Sequence, residues 1–225
     1  MTFLFEPKYL VPYEVAWDWQ RDWQKSLIFG LRTTSAVWAL QHPNCYTLGR
    51  GATESNLLFD LNLPPYPVFR IDRGGEVTQH LPGQLVVYPV IDLSLYKKDL
   101  NWYLRQLEQV LIDALLCLGL KGERIEGLTG LWLENYKVGS IGVGCRRWIT
   151  QHGLSLNVNC NLEGFERIIP CGISGHSIQS LDFWIPGIKV SDVQPLVTKC
   201  LGTRFGFSFT SSEIDCISSI AMDND

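Results

Sequence analysis

A chain of 225 residues with 46% hydrophobic and 19% charged residues can bury a substantial core, which excludes an intrinsically disordered protein. Its formal charge of -4 lacks the basic excess that general nucleic-acid binding requires. The longest apolar stretch, near 110–120, is interrupted by Asp113 and is too short to span a bilayer. The N-terminal MTFLFEPKYLVPYE has neither the basic n-region of a secretory signal nor the Arg/Ser-rich character of a transit peptide. Seven cysteines, an odd number, form no CxxC and no zinc-ligand spacing, which points to free thiols in a reducing compartment. The expectation is a cytoplasmic protein with no nucleic-acid or membrane partner.

From the N-terminus, residues 3–11 read as a first strand that Pro12 ends. Over 13–31, Ala16, Trp19, Trp23, Leu27 and Leu31 recur at three- and four-residue spacing, which predicts an amphipathic helix with an aromatic buried stripe. A strand over 35–41 is broken by His42-Pro43. The glycine-bracketed TLGRGA (47–52) admits two readings, an anion cradle of backbone N–H groups or a tight connection, and gives Arg50 no catalytic role. The prolines of LPPYP (63–67) mark a loop. A strand over 68–73 leads into Gly74-Gly75, a loop whose backbone can lie against a ligand but which matches neither a P-loop nor a dinucleotide fingerprint. Residues 84–91 read as a fully buried strand. Leucines 100, 104, 107, 111, 115 and 118 line one face of a second helix, with Asp99 as N-cap and Gly119 as stop. After a strand over 127–134 and the central stretch below, Ser191-Asp192-Val193-Gln194 has the capping-box pattern and opens a last helix carrying Leu196, Val197, Cys200 and Leu201. The polar, acidic tail from Thr210 is expected to fray. Interleaved strands and helices predict an α/β (α+β) fold in one domain, 1–225, with a mixed sheet packed by helices.

The central stretch runs from Lys137 to Gly175. Residues 138–143 and the alternating 153–159 predict two paired strands, with His152 at the leading end of the second and Lys137 and Cys171 able to meet. Such a pair suits acyl transfer, because a thiolate is a strong nucleophile and a lysine that takes its proton can return it to a leaving group. On pattern alone the other reading stands beside it: a single lysine is commonly a solvated charge, and a single cysteine a small buried hydrophobe.

The segments HPNCYTLGRG (42–51), RGGEVTQHLPGQLVVYPVIDL (73–93), KVGSIG (137–142), HGLSLNV (152–158) and PCGI (170–173), in this order, resemble the lipoyl(octanoyl) transferase family. The resemblance implies the fold shared with lipoate and biotin protein ligases, catalytic Cys171 and Lys137, and no cofactor. It implies a substrate pocket built from Arg73, Gly74, Gly75, Glu76, Val77, Thr78, Gln79 and His80, then Ser140, Ile141 and Gly142, then Gly153, Leu154 and Ser155. Gln79 stands where the family favours an aromatic and Leu81 where it favours glycine, which bears on the shape of the pocket. The implied donor is octanoyl-acyl carrier protein. The implied acceptors are lipoyl domains of 2-oxoacid dehydrogenases and the glycine cleavage H protein, served by a monomer. Two other functions fit the same fold, an ATP-dependent lipoate–protein ligase and a non-catalytic acyl- or protein-binding module. Arg146-Arg147 beside Trp148 reads either as a docking patch for an acidic carrier protein or as a solvated hairpin turn.

Overall fold

The computed structural model describes residues 1–169 and 177–211. Its helices are α1 (Tyr13–Ile28), α2 (Leu100–Cys117) and α3 (Val190–Phe205). The first six strands are β1 (Thr2–Phe5), β2 (Ser35–Leu40), β3 (Cys45–Leu48), β4 (Val68–Arg70), β5 (Val77–His80) and β6 (Gln84–Val90). Beyond α2 come β7 (Glu123–Ile125), β8 (Leu128–Leu133), β9 (Tyr136–Arg146), β10 (Ile149–Asn157) and β11 (Phe209–Ser211). One mixed sheet has the order β11-β1-β2-β6-β10-β9-β8-β7, and a small second sheet has the order β4-β3-β5. In the large sheet β1 is parallel to β2 and β11, and the other pairs are antiparallel.

The period-two alternation of strands distributes side chains between two cores. Val37 and Ala39 of β2 and Leu85 and Val87 of β6 join Leu107, Leu111, Val193 and Val197 in the core under α2 and α3. Their neighbours Ala36, Trp38, Val86 and Tyr88 join Ala16 and Trp23 of α1 on the opposite face. Trp38 is completely buried there, stacked on Phe5 with centroids 5.3 Å apart and edge-on to Trp23 at 5.7 Å. Burial of a side chain such as Phe5 contributes roughly 2–3 kcal/mol, so this aromatic group holds α1 firmly to the sheet.

Several expectations need correction. β1 ends at Phe5, and the later part of 3–11 contributes only a bridge from Leu10 to Gln41. α1 stops at Ile28, so Leu31 lies beyond it, 75% exposed. α3 starts two residues earlier than the capping pattern suggested, with Lys189 rather than Ser191 as N-cap: Asp192 is its third residue, and its carboxylate accepts from the Lys189 N–H at 2.9 Å. The 47–52 segment is the tight connection, because the N–H groups of Gly49, Arg50 and Gly51 donate to the carbonyls of Glu76, Arg73 and Gly75, leaving none of the three for an anion. Thr210 and Ser211, assigned to a fraying tail, pair with Phe3 and Leu4 in β11. The second helix agrees with its expectation: the Asp99 carboxylate accepts from Trp102 N at 3.0 Å, and Gly119 turns the chain out at φ 76.

Candidate active site

The β9–β10 hairpin sets the site. The two segments pair as expected, and their register sets Gly142 opposite Gly153 and Ser140 opposite Ser155. On β9, Ser140 and Gly142 face a pocket on the α1 side, while Ile141 and Val143 pack on the helical core. Gly139 also faces α2, since a Cβ there would touch Leu111 Cδ1 at 3.0 Å. Strict alternation would then aim Lys137 at α2 and away from the pocket. A β-bulge prevents this. The β8–β9 register steps from Leu131↔Gly139 to Trp132↔Lys137, which leaves Val138 as an extra residue whose side chain joins the helical core. Lys137 is thereby turned into the pocket, 5% exposed. Its backbone is held by the segment 177–179: Lys137 N–H donates to Ser177 O at 2.9 Å, and Gln179 N–H donates to Lys137 O at 3.0 Å.

The pocket is a narrow cavity of about 60 Å³, well below the roughly 300–1,000 Å³ typical of small-molecule sites. Thirteen of the expected site residues line it: Arg73, Gly75, Glu76, Val77, Thr78, His80, Lys137, Ser140, Ile141, Gly142, Gly153, Leu154 and Ser155. Gly74 and Gln79 do not. Gly74 instead ties the 73–76 loop to β9 through its N–H to Val143 O at 2.8 Å. Gln79 lies on the far face of β5, donating to Asn44 Oδ1 at 3.2 Å and packed on Gly164, so its departure from the family pattern does not shape the pocket. Leu81 is likewise buried elsewhere, with Tyr46 and Phe165. Arg73 staples the loop to the small sheet, its Nη2 donating to Thr47 O at 2.8 Å and Thr47 Oγ1 at 2.9 Å. Cys171, expected to meet Lys137, lies outside the described residues.

Four lining residues were not foreseen: Tyr13, Val86, Tyr88 and His152. Period two along β6 was a usable signal for Val86 and Tyr88, but nothing local marks Tyr13, which arrives from the start of α1. Tyr13, Tyr88 and His152 belong to a buried group of hydrogen-bonded and stacked rings that also holds His42 and His80. His42 donates through Nδ1 to Val11 O at 2.7 Å and accepts at Nε2 from the Tyr88 hydroxyl at 2.8 Å. Burial keeps it neutral, with its pKa lowered to about 4 against the pull of the Val11 carbonyl. His80 stacks on Tyr13 at 5.7 Å and bonds to Gln84 Oε1 at 2.8 Å, and burial also lowers its pKa well below the usual value.

His152 is not at the leading end of its strand but inside β10, with a left-handed backbone at φ 58. That conformation costs a non-glycine residue roughly 1 kcal/mol or more, and three contacts offset it. Its N–H donates to Gln20 Oε1 at 2.8 Å. Its Nε2–H donates to Asp72 Oδ1 at 3.0 Å, since a carboxylate can only accept, and Nδ1 then accepts from Tyr13 Oη at 3.5 Å. The His152 hydrogen bond holds the Asp72 carboxyl below its ordinary range. Among the described cysteines none lines the pocket, and burial pushes the thiols of Cys45 up to about 12 and Cys160 up to about 11, which keeps both protonated.

The site therefore combines a buried lysine, an apolar-walled cleft and a neutral, hydrogen-bonded base of tyrosines and histidines. Residues 12–202 match the family described as the lipoyl protein ligase A/B catalytic domain. The chain is 64% identical over 205 residues to the octanoyltransferase of Prochlorococcus marinus (strain MIT 9313), covering 91% of this chain and 84% of that relative. It is 63% identical over 210 residues to the octanoyltransferase of Synechococcus sp. (strain WH7803), covering 91% and 85%. The solved bipartite lipoate protein ligase of Thermoplasma acidophilum shares the fold at a TM-score of 0.74 and 13% identity, over 100% of this chain and 92% of that one. The chain belongs to the lipoyl protein ligase A/B catalytic-domain family and, within it, to the octanoyltransferases.

Proposed function

We propose that this enzyme transfers an octanoyl group in lipoate biosynthesis through a thioester on Cys171, with Lys137 moving the protons. The donor is octanoyl-acyl carrier protein, and the acceptors are lysines on lipoyl domains of 2-oxoacid dehydrogenases and on the glycine cleavage H protein. The observation that carries the reading is the bulge at Val138, which turns Lys137 into a cleft whose other walls are the expected pocket segments. The Cys171 thiolate attacks the thioester carbonyl and displaces the carrier thiol, which takes back the proton held by Lys137. The acceptor amine then attacks the acyl-enzyme, loses a proton to Lys137 and releases the Cys171 thiolate. Val77 and Val86 provide apolar wall for an alkyl chain. The high identity to octanoyltransferases favours transfer over ATP-dependent ligation, and an assay with and without ATP separates the two.

The test is intact mass after mixing with octanoyl-acyl carrier protein, with turnover measured in parallel. Wild type is expected to gain one octanoyl group, and Cys171→Ala to gain none. Lys137→Arg is expected to fold and be nearly inactive, because a guanidinium does not give up its proton. Covalent acyl on Cys171→Ala, or wild-type turnover by Lys137→Arg, removes the corresponding residue from the mechanism.

A further inference from the structure

Gly130 has φ 142, a conformation that L side chains rarely adopt, and a Cβ built on it would lie 2.8 Å from Lys137 Cε and 2.7 Å from Gly139 O. The stem of Lys137 thus crosses β8 over bare backbone. Beyond it, Nζ comes 5.7 Å from the ring centroid of Trp132, which is completely buried and directly opposite Lys137 next to the bulge. An ammonium within about 6 Å of an indole face is attracted to its negative quadrupole.

β8 is itself fixed from α2. The β7–β8 ladder shifts register between Glu123 and Ile125, and the Gly130 N–H donates instead to Glu108 Oε1 at 3.2 Å. Glu108 is completely buried, and its carboxylate also accepts from Arg105 Nη1 at 2.6 Å and Arg124 Nε at 2.7 Å. A carboxylate held by three donors is a rigid anchor, and Gly130 sits between that anchor and the lysine.

We propose that Gly130 and Trp132, clamped through Glu108, are positioning residues that fix where the Lys137 ammonium stands in the pocket. The proposal rests on the reading of Lys137 as the proton-transfer group. Gly130 leaves room for the stem to cross β8, and the Trp132 face receives the charged end. Neither acts on substrate directly; both act through the lysine.

The test compares Trp132→Phe, which keeps a ring face, with Trp132→Leu, which keeps an apolar filling but no ring, and with Gly130→Ala. Two quantities are read: kcat and KM for octanoyl transfer, and the rate at which acetic anhydride labels Lys137, scored by peptide mass against the other lysines of the same molecule. Trp132→Leu and Gly130→Ala are expected to lower kcat on the order of 10- to 100-fold with KM within about two-fold, as a displaced catalytic group does. Both should alter Lys137 labelling, and Trp132→Phe should recover most of each effect. Thermal melts identify a variant that fails to fold; if Gly130→Ala is one, the Phe–Leu contrast decides alone. Equal behaviour of Phe and Leu at position 132, or Lys137 labelling unchanged in the folded variants, overturns the proposal. Labelling does not depend on turnover. If Lys137→Arg turns over normally while Trp132→Leu changes the labelling, the positioning stands and the catalytic reading of Lys137 falls.

Discussion

Acidification should destabilise this fold well above the pH at which carboxylates titrate. His42 is buried with both ring nitrogens engaged, Nδ1 as donor to Val11 and Nε2 as acceptor from Tyr88, so protonating it breaks the Tyr88 contact and charges an apolar interior. Its pKa falls from 6.5 to about 4 on folding. For a histidine lowered in this way, stability is intact above the unfolded value near 6.5 and is lost as pH falls toward the folded value. A displacement of about 2.5 units at about 1.36 kcal/mol each gives a loss of about 3 kcal/mol over pH 6.5 to 4. For a chain of this size that lowers Tm by roughly 6–12 °C. His80 and His152, whose pKa values burial also lowers, add to the slope in the same direction. The Asp72 carboxyl, lowered below 3.8, contributes only at more acid pH. The assay is Tm by calorimetry from pH 7 to 4.5, with His42→Gln beside wild type. A flat wild-type profile in that window, or an unchanged slope in His42→Gln, would refute the reasoning.

How far the sequence reveals this site depends on which information is local. The helical period of the leucines over 100–118 and the alternation over 153–159 are local: the helix stands where it was expected, and the strand is present but begins four residues earlier, at Ile149, and ends at Asn157. That these two strands pair was legible from the alternation, whereas the register that sets Ser140 opposite Ser155 is fixed by the hairpin turn at 147–148. The small sheet was hidden because β3 and β5 are four residues each and sit beside glycines that read as turns. The facing of Lys137 was hidden for a different reason. A bulge is set by the partner strand and by what fills the helical core, so one residue decides the side of a sheet without changing the pattern of its own strand. Tyr13 and His42 reach the pocket region from distant parts of the chain, and no spacing announces such a meeting. Of the residues the resemblance implies, Gly74 and Gln79 stand outside the pocket lining, Gln79 because strand parity puts it on the other face of β5, which a motif does not record.

The remaining predictions test the packing around the pocket and its surface. A Cβ on Gly153 would lie 2.3 Å from Val87 O and 2.7 Å from Pro89 Cδ, so Gly153→Ala must open the β6–β10 ladder. It is expected to cost about 1–3 kcal/mol in urea denaturation, and a wild-type midpoint would contradict the packing described. The Arg146-Arg147 patch proves to be at a hairpin turn, with φ 49 at Arg147 and φ 67 at Trp148, facing Arg21 and Lys25 of α1 across a surface groove. Four cations there, offset in part by Asp22 and Asp72 of the same groove, could attract an acidic carrier on a chain of net charge -4. Yet Arg146 ends β9 and Lys137 lies near its start. Nine residues at a rise of about 3.3 Å put the two on the order of 30 Å apart along the strand. A carrier seated on the hairpin would have to deliver its acyl group over that length, whereas one docked at the Lys137 end would not. Arg146→Glu with Arg147→Glu is therefore expected to leave KM for octanoyl-acyl carrier protein within about two-fold of wild type, even at low salt where screening is weakest. A several-fold rise at low salt that fades as salt is added would show that the carrier does bind at the hairpin, and would refute the distance argument.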